Sequence, residues 1–217
     1  MENGIYLGNC LDLIQQLLDN SIDLVVTSLW YLKAFDNSGL KMPYVVTWVK
    51  TREPENPQNY CGNSTGWGSW KSASCPNFLS YSELILIGYK KVWKKMNSGV
   101  STISDKEFIE FMKSVWYFPA EIKYRKYHTA PFPEDLPYRC IQAFSYLDDI
   151  ILDPFSGSGT TCCVAKKLGR KYIGFELNEK YYKLSLCRLD RTLVDKNFLE
   201  QRISNKDKKI YYNPIFW

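Results

Sequence analysis

The chain has 217 residues, 45% of them hydrophobic and 24% charged, with a formal net charge of +5. These proportions are close to globular norms, so disorder is not the default reading, and the length suits one compact domain with room for a small attached lobe. The positive surplus is compatible with a polyanionic partner and too mild to demand one. The 7 cysteines form no Cys-x-x-Cys pair, and with a single histidine, His128, they argue against a structural zinc site. No apolar run approaches a membrane span, and the residues after Met1 include no basic, apolar leader. Reduced thiols are the simpler account of the cysteines, so the expectation is a soluble, cytoplasmic protein without membrane contact.

Ile5-Tyr6-Leu7 reads as a short strand closed by Gly8-Asn9. Leu13, Ile14, Leu17 and Leu18 recur at helical spacing, and Asp19-Asn20-Ser21 ends that helix. Ile22 to Ser28 follows as a buried strand rich in β-branched side chains, and in a parallel sheet its carboxyl end is a place for chemistry. Prolines and glycines loosen the pattern from Tyr31 to Trp70, although Tyr44 to Val49 predicts a strand, and Leu84 to Ile87 predicts another. Ser104-Asp105-Lys106-Glu107 fits a capping box that opens a helix through Phe108, Ile109, Met112 and Val115. Basic residues cluster at Lys90, Lys91, Lys94 and Lys95 and again at Lys206, Lys208 and Lys209, each run suited to phosphates or to plain solvated surface.

The most regular stretch comes last. Ile150-Ile151-Leu152 predicts a strand, Asp153 to Gly159 a small-residue turn, and Thr161, Val164, Ala165 and Leu168 one face of a helix that Gly169 ends. Lys171 to Phe175 is the next strand, with Glu176 at its tip, and Tyr182, Leu186 and Leu189 mark a further helix. From about Asn205 the chain reads as a tail with an apolar ending, Ile215-Phe216-Trp217. Gly157 and Gly159 permit a tight turn and close approach of a ligand to the backbone. The helix start that follows presents N–H groups to a polar or anionic group. Glu176, 19 positions after Gly157, stands where an acid accepts both hydroxyl hydrogens of a ribose. A Gly-x-Gly turn alone is an ordinary strand-to-helix connection, but loop, helix and acid together point to a nucleoside cofactor. The third glycine of a dinucleotide fingerprint would fall at Cys162, and no Gly-Lys-Ser/Thr of a P-loop follows the turn.

Asp153-Pro154-Phe155-Ser156-Gly157-Ser158-Gly159-Thr160-Thr161 resembles the cofactor motif of the β-class DNA amino-methyltransferases, the family that modifies adenine N6 or cytosine N4. Phe175-Glu176 is similar to their ribose-binding strand end, and His128 to Pro137 to the segment lining the methionine end of the cofactor. Gly8-Asn9-Cys10-Leu11 with Asp19 to Ser28 resembles the family's opening, and Gly68 to Asn77 a segment of its middle. The resemblance covers most of the chain. It implies S-adenosylmethionine as cofactor, held by Asn9, Phe132, Asp153, Phe155, Gly157, Gly159, Thr160 and Glu176. It implies double-stranded DNA as substrate, a cognate restriction endonuclease system, and no stable partner. The implied fold is α/β and Rossmann-like, a mostly parallel sheet with helices on both faces. Its motif order is circularly permuted, with the catalytic strand before the cofactor strand. Residues 1–217 would form a single methyltransferase domain, with a small target-recognition region within 71–125.

An exocyclic base amine is a poor nucleophile because its lone pair is delocalised into the ring. The family places Ser/Asp/Asn-Pro-Pro-aromatic at the catalytic strand end, where the first side chain and a proline carbonyl accept the amine's hydrogens. The aromatic stacks on the flipped base. The matching positions here are Ser28-Leu29-Trp30-Tyr31, so Ser28 and Tyr31 are the catalytic candidates and both prolines are replaced. Serine in the first place tilts the target toward cytosine N4 over adenine N6. Only 36 residues separate Tyr31 from Gly68, where the family fits another helix and strand. One reading is an internal deletion with its junction near Ser28, leaving a catalytically impaired relative that binds cofactor or DNA. The other is a compact variant whose loop still works.

Overall fold

The computed structural model describes residues 1–27, 39–51, 72–75, 81–95, 97–121 and 131–204. Ser28, Tyr31, His128, the segment Trp67 to Lys71 and the tail from Asn205 lie outside the described residues. In chain order the elements are β1 (Gly4–Leu7), α1 (Cys10–Ile14), β2 (Leu24–Val25), β3 (Lys41–Val49), β4 (Ser82–Tyr89), α2 (Asp105–Phe111), β5 (Val115–Tyr117), α3 (Asp135–Phe144), β6 (Ile150–Asp153), α4 (Thr160–Lys167), β7 (Lys171–Glu176), α5 (Glu179–Asp190) and α6 (Lys196–Ser204). They fall in two compact units, one drawn from residues 1–29, 96–110 and 134–217, the other from 30–95 and 111–133.

The first unit is built on a four-stranded sheet in the order β1-β7-β6-β2, parallel throughout. Strand side chains alternate between faces, and the alternation assigns the helices. Ile173 and Phe175 of β7 join Leu152 and Ile150 of β6 on one face, where Cys10 and Leu13 of α1 pack against them. Gly174 points the other way, toward Ser156 and Cys162 of the loop and α4 and toward Ile5 of β1. Gly159 faces Ser185 of α5 across the same layer. Helices therefore cover both faces, as the sequence led one to expect. Burial of Ile151, Leu152, Ile173 and Phe175 below 5% exposure is what a parallel sheet covered on both sides requires.

The second unit carries a three-stranded sheet in the order β4-β3-β5, with β3 and β4 antiparallel and β3 and β5 parallel. Its core is aromatic: Trp48, Trp116 and Phe118 are all buried, and the Trp48 and Phe118 rings stack with centroids 4.8 Å apart. The Trp48 indole donates to the Phe118 carbonyl at 2.8 Å, which satisfies its one polar atom.

Most predicted elements stand where the periodicity places them, with three shortened. The strand expected to run buried from Ile22 to Ser28 pairs as a strand only at Leu24–Val25, last in the sheet order, where Val25 is 51% exposed. The first helix ends at Ile14, because the N–H groups of Gln16 and Leu17 turn to carbonyls three residues back and tighten the chain into turns. The helix after Ser104 ends at Phe111, and Val115 opens β5 instead of extending the helix. Trp116 accounts for that stop: buried completely, it donates its indole N–H to the Phe111 carbonyl at 3.1 Å. The capping box holds, with the Ser104 N–H donating to Glu107 at 2.9 Å and the Glu107 N–H to the Ser104 hydroxyl at 3.3 Å. No helix among the described residues is long and apolar enough to cross a membrane.

Gly174 is the tightest point of this packing. A Cβ there would meet Ser156 Oγ at 2.8 Å, Cys162 Sγ at 2.9 Å and Ile5 Cγ1 at 3.1 Å. All three neighbours are themselves buried. The Gly174→Ala substitution is expected to lower stability by about 1–3 kcal/mol through overpacking. Urea denaturation measures this, and an unchanged midpoint would show that the loop lies looser on β7 than described.

Candidate functional site

The site assembles where β6 and β7 end side by side, in register from Ile150 opposite Lys171 to Asp153 opposite Gly174. After Asp153 the chain turns through Gly157, at φ +51°, and Gly159, at φ +79°. Both values lie in the left-handed region that glycine enters without a Cβ penalty. Gly159 is also the N-cap of α4, and as glycine it has no side chain with which to cap the helix. The first-turn N–H groups of α4 thus have no intrahelical acceptor and face outward from the helix start.

Glu176 closes the loop. Its Oε2 accepts the Gly157 N–H at 2.7 Å and its Oε1 accepts the Asn178 N–H at 2.7 Å. The Ser156 N–H donates to the Phe175 carbonyl at 2.8 Å, so the loop also lies against the β7 backbone. The Gly8 N–H donates to the Glu176 carbonyl at 2.9 Å, bringing the end of β1 alongside. Asn9 follows there, exposed, its carboxamide oxygen accepting the Leu11 N–H at 3.0 Å as the cap of α1. Phe155 is 48% exposed at the loop's outer edge, and Leu177, just past Glu176, is 73% exposed.

Six of the sequence-derived cofactor residues thus come together: Asp153, Phe155, Gly157, Gly159, Thr160 and Glu176. Asn9 stands at the adjoining strand end. Phe132 belongs to the second unit. Among the described residues, no group of three or more His, Cys, Asp or Glu is placed to hold a metal.

Two residues that sequence reasoning passed over also shape the loop. Arg188 of α5 places Nη1 2.8 Å from the Ser158 carbonyl, 2.8 Å from the Ser158 hydroxyl and 3.1 Å from Thr160 Oγ1. The Thr160 side chain is buried and thereby engaged. Arg188 lies one helical turn after Ser185, the α5 residue that Gly159 approaches, a contact that no local pattern in the sequence signals. The other is Thr27, which follows β2 and donates its hydroxyl to Asp153 Oδ1 at 2.8 Å. Thr161 of α4 donates to the Val26 carbonyl at 3.4 Å, a second tie to the residues leading to Ser28.

Asp153 is fully buried. Its Oδ1 also accepts the Phe155 N–H at 3.1 Å, while Oδ2 has no hydrogen-bond partner among the described residues. Burial pushes its carboxyl up from the ordinary 3.8 to about 6, with Glu176 adding to the rise and the Thr27 and Phe155 donors opposing it. Between those two values the folded chain holds a proton that the unfolded chain has released. This contribution to stability is therefore greatest at the acid end of the window and is lost as pH rises toward 6 and beyond. Asp153→Asn keeps an acceptor for Thr27 and Phe155 and removes the ionisation. Thermal melts from pH 4 to 7 are expected to show wild type losing stability relative to this variant as pH rises. A difference that stays flat across the range would refute the buried ionisation.

The profile of the DNA methylase family matches residues 12–186. The type II methyltransferase M2.LlaDCHI of Lactococcus lactis subsp. cremoris is 34% identical over 163 residues, which cover 73% of this chain and 54% of that protein. Among solved structures, TTHA0409 of Thermus thermophilus, in complex with S-adenosyl-L-methionine, gives a TM-score of 0.65 at 21% identity over 88% of this chain and 94% of that one. The cytosine-N4-specific PvuII DNA methyltransferase gives 0.63 at 18% identity over 94% of this chain and 93% of that one. The two structural likenesses speak for the fold alone. The chain spans about half the length of the curated relatives it matches. With a family profile covering most of its length and a relative above 30% identity over nearly three quarters of it, this chain belongs to the N6/N4 DNA methylase family.

Proposed function

We propose that this chain binds S-adenosylmethionine on the Asp153–Thr161 loop and transfers its methyl group to an exocyclic amino group of a base in double-stranded DNA. The observation that carries the reading is the Gly157 N–H to Glu176 bond at 2.7 Å, which holds loop and acid in one arrangement. When bound, the cofactor supplies an activated methyl group. The residues present fit it. Each Glu176 oxygen keeps a lone pair after its backbone bond, one for each ribose hydroxyl. Phe155 offers an exposed aromatic face to the adenine, and Asn9 stands at the neighbouring strand end. Gly157 and Gly159 let the backbone approach, and the first turn from Thr160 offers N–H groups to the methionine carboxylate. Asp153 holds the loop's first residue to Thr27, and Phe132 serves the methionine end. The association of TTHA0409 with S-adenosylmethionine supports this assignment.

Ser28 would accept a hydrogen of the target amine and Tyr31 would stack on the flipped base. Serine at that position favours cytosine N4, the specificity of the PvuII enzyme, with adenine N6 next. Target recognition would fall within residues 71–125, in a cytoplasmic setting beside a cognate restriction endonuclease. A second reading has a specific observation behind it. Leu29 and Trp30 replace both prolines of the catalytic motif, which suits a relative that binds cofactor or DNA without turnover.

Calorimetry with S-adenosylhomocysteine is expected to show one site per chain, weakened at least roughly tenfold in Glu176→Ala by loss of charge-assisted hydrogen bonds. Labelled methyl groups should then pass from S-adenosylmethionine to duplex DNA and be recovered as N4-methylcytosine, or as N6-methyladenine if the second target holds. Folded protein that binds no S-adenosylhomocysteine would sink the cofactor reading. Binding without any methyl transfer would select the non-catalytic one.

A further inference from the structure

The end of the β3–β4 hairpin concentrates positive charge on a rigid aromatic base. Residues 39–49 and 84–95 contain Lys41, Lys90, Lys91, Lys94 and Lys95 and no acidic residue. Glu83 of β4 lies toward the opposite end of the hairpin, paired with Lys50. The register sets Lys41 across from Tyr89, and the Lys41 ammonium lies 5.9 Å from the centre of that ring. Beyond β4 the chain folds back, because Trp93 packs with ring centroids 5.4 Å from Tyr44 and 5.5 Å from Tyr89. That contact gathers the lysines after Tyr89 beside the one on β3.

The three rings do not form a core. Tyr44 is 55% and Trp93 45% exposed, and β3 is exposed from Lys41 to Val45 before burial begins at Val46. What they do is hold the segment that carries Lys90, Lys91, Lys94 and Lys95 against β3, so that five lysines share one end of the hairpin. Crowded like charge is unfavourable by itself and is relieved by a polyanion. Lysine is a strongly hydrated point charge on a flexible stem, matched to phosphate oxygens more than to any one base edge.

We propose that this hairpin end is a docking surface for the phosphate backbone of duplex DNA, gripping it without regard to sequence. The choice of DNA among polyanions rests on the methyltransferase reading, whereas the charge and the aromatic buttress do not. The test uses the full chain, labelled duplexes of several unrelated sequences, and fluorescence anisotropy across a salt series. The triple variant Lys90→Gln, Lys91→Gln, Lys94→Gln is expected to lower the slope of log affinity against log salt by about 2 to 3. At about 0.1 M salt it should bind at least roughly tenfold more weakly, and equally so for every duplex. Trp93→Ala, which frees the lysine segment from the rings, should fall between. S-adenosylhomocysteine binding and the melting temperature of the triple variant are expected to match wild type, which separates this result from misfolding. An unchanged slope and affinity in the triple variant would overturn the proposal. So would a wild-type chain that ignores duplexes yet binds vesicles rich in anionic lipid. Loss of cofactor binding with DNA binding retained would strike the methyltransferase reading and leave the docking surface standing.

Discussion

A carboxylate that accepts two backbone N–H groups from different segments does more than close a turn. Glu176 holds Gly157 through one oxygen and Asn178 through the other, while its own carbonyl receives Gly8. Loop, helix start and neighbouring strand thus meet on one residue. Hydrogen bonds to an ionised group are shorter and stronger than neutral ones, so the loop is held in shape before any ligand arrives. A site shaped in advance loses less freedom on binding, which improves affinity without any added contact. The arrangement in turn requires Gly174, since a side chain there would push Ser156 and Cys162 away from the sheet.

Asp153 pulls against stability to hold the same loop. A fully buried carboxyl with one oxygen unpartnered is costly to ionise, which is why its proton leaves only near pH 6. Its two donors, Thr27 and the Phe155 N–H, come from the two chain segments that must stay in register, the residues before Ser28 and the loop itself. Arg188 fixes the middle of the loop at Ser158 from α5. A purely structural core would favour an apolar residue at Asp153. Its charge makes sense where position matters more than stability.

What was legible in the sequence followed from local periodicity. The strand, small-residue turn and helix from Ile150 to Leu168 were readable because apolar spacing and two glycines act within a few residues. Glu176 was readable for the same reason, standing at a strand tip a fixed distance beyond the loop. Arg188 and Thr27 were not, because each acts across the fold: Arg188 on a loop 28 and 30 positions away, Thr27 on a residue 126 positions away. The helix from Asp135 was hidden by Pro137, which reads as a breaker but sits in the first turn, where no N–H is needed. Val115 matched helical spacing and was claimed by Trp116 instead, whose burial ends the helix and starts a strand. Local spacing had no access to that competition.

The topology explains why the loop's supports are so widely spread. In the order β1-β7-β6-β2 the outer strands come from the beginning of the chain and the inner ones from its last third. Gly157 and Glu176 can meet within a short local unit, but Gly8 and Thr27 must travel from the other end of the sequence to reach them. The local unit therefore has the means to form early, while closing the long-range pairs carries the larger entropic penalty. The ties to Asp153 and to the Glu176 carbonyl are made at those outer strands, at the points where the sheet ladder gives out. Substitutions within the local loop should then affect ligand contact most directly. Changes at Thr27 or Gly8 should act by loosening the strand ends against a loop that its own bonds to Glu176 and Phe175 still hold.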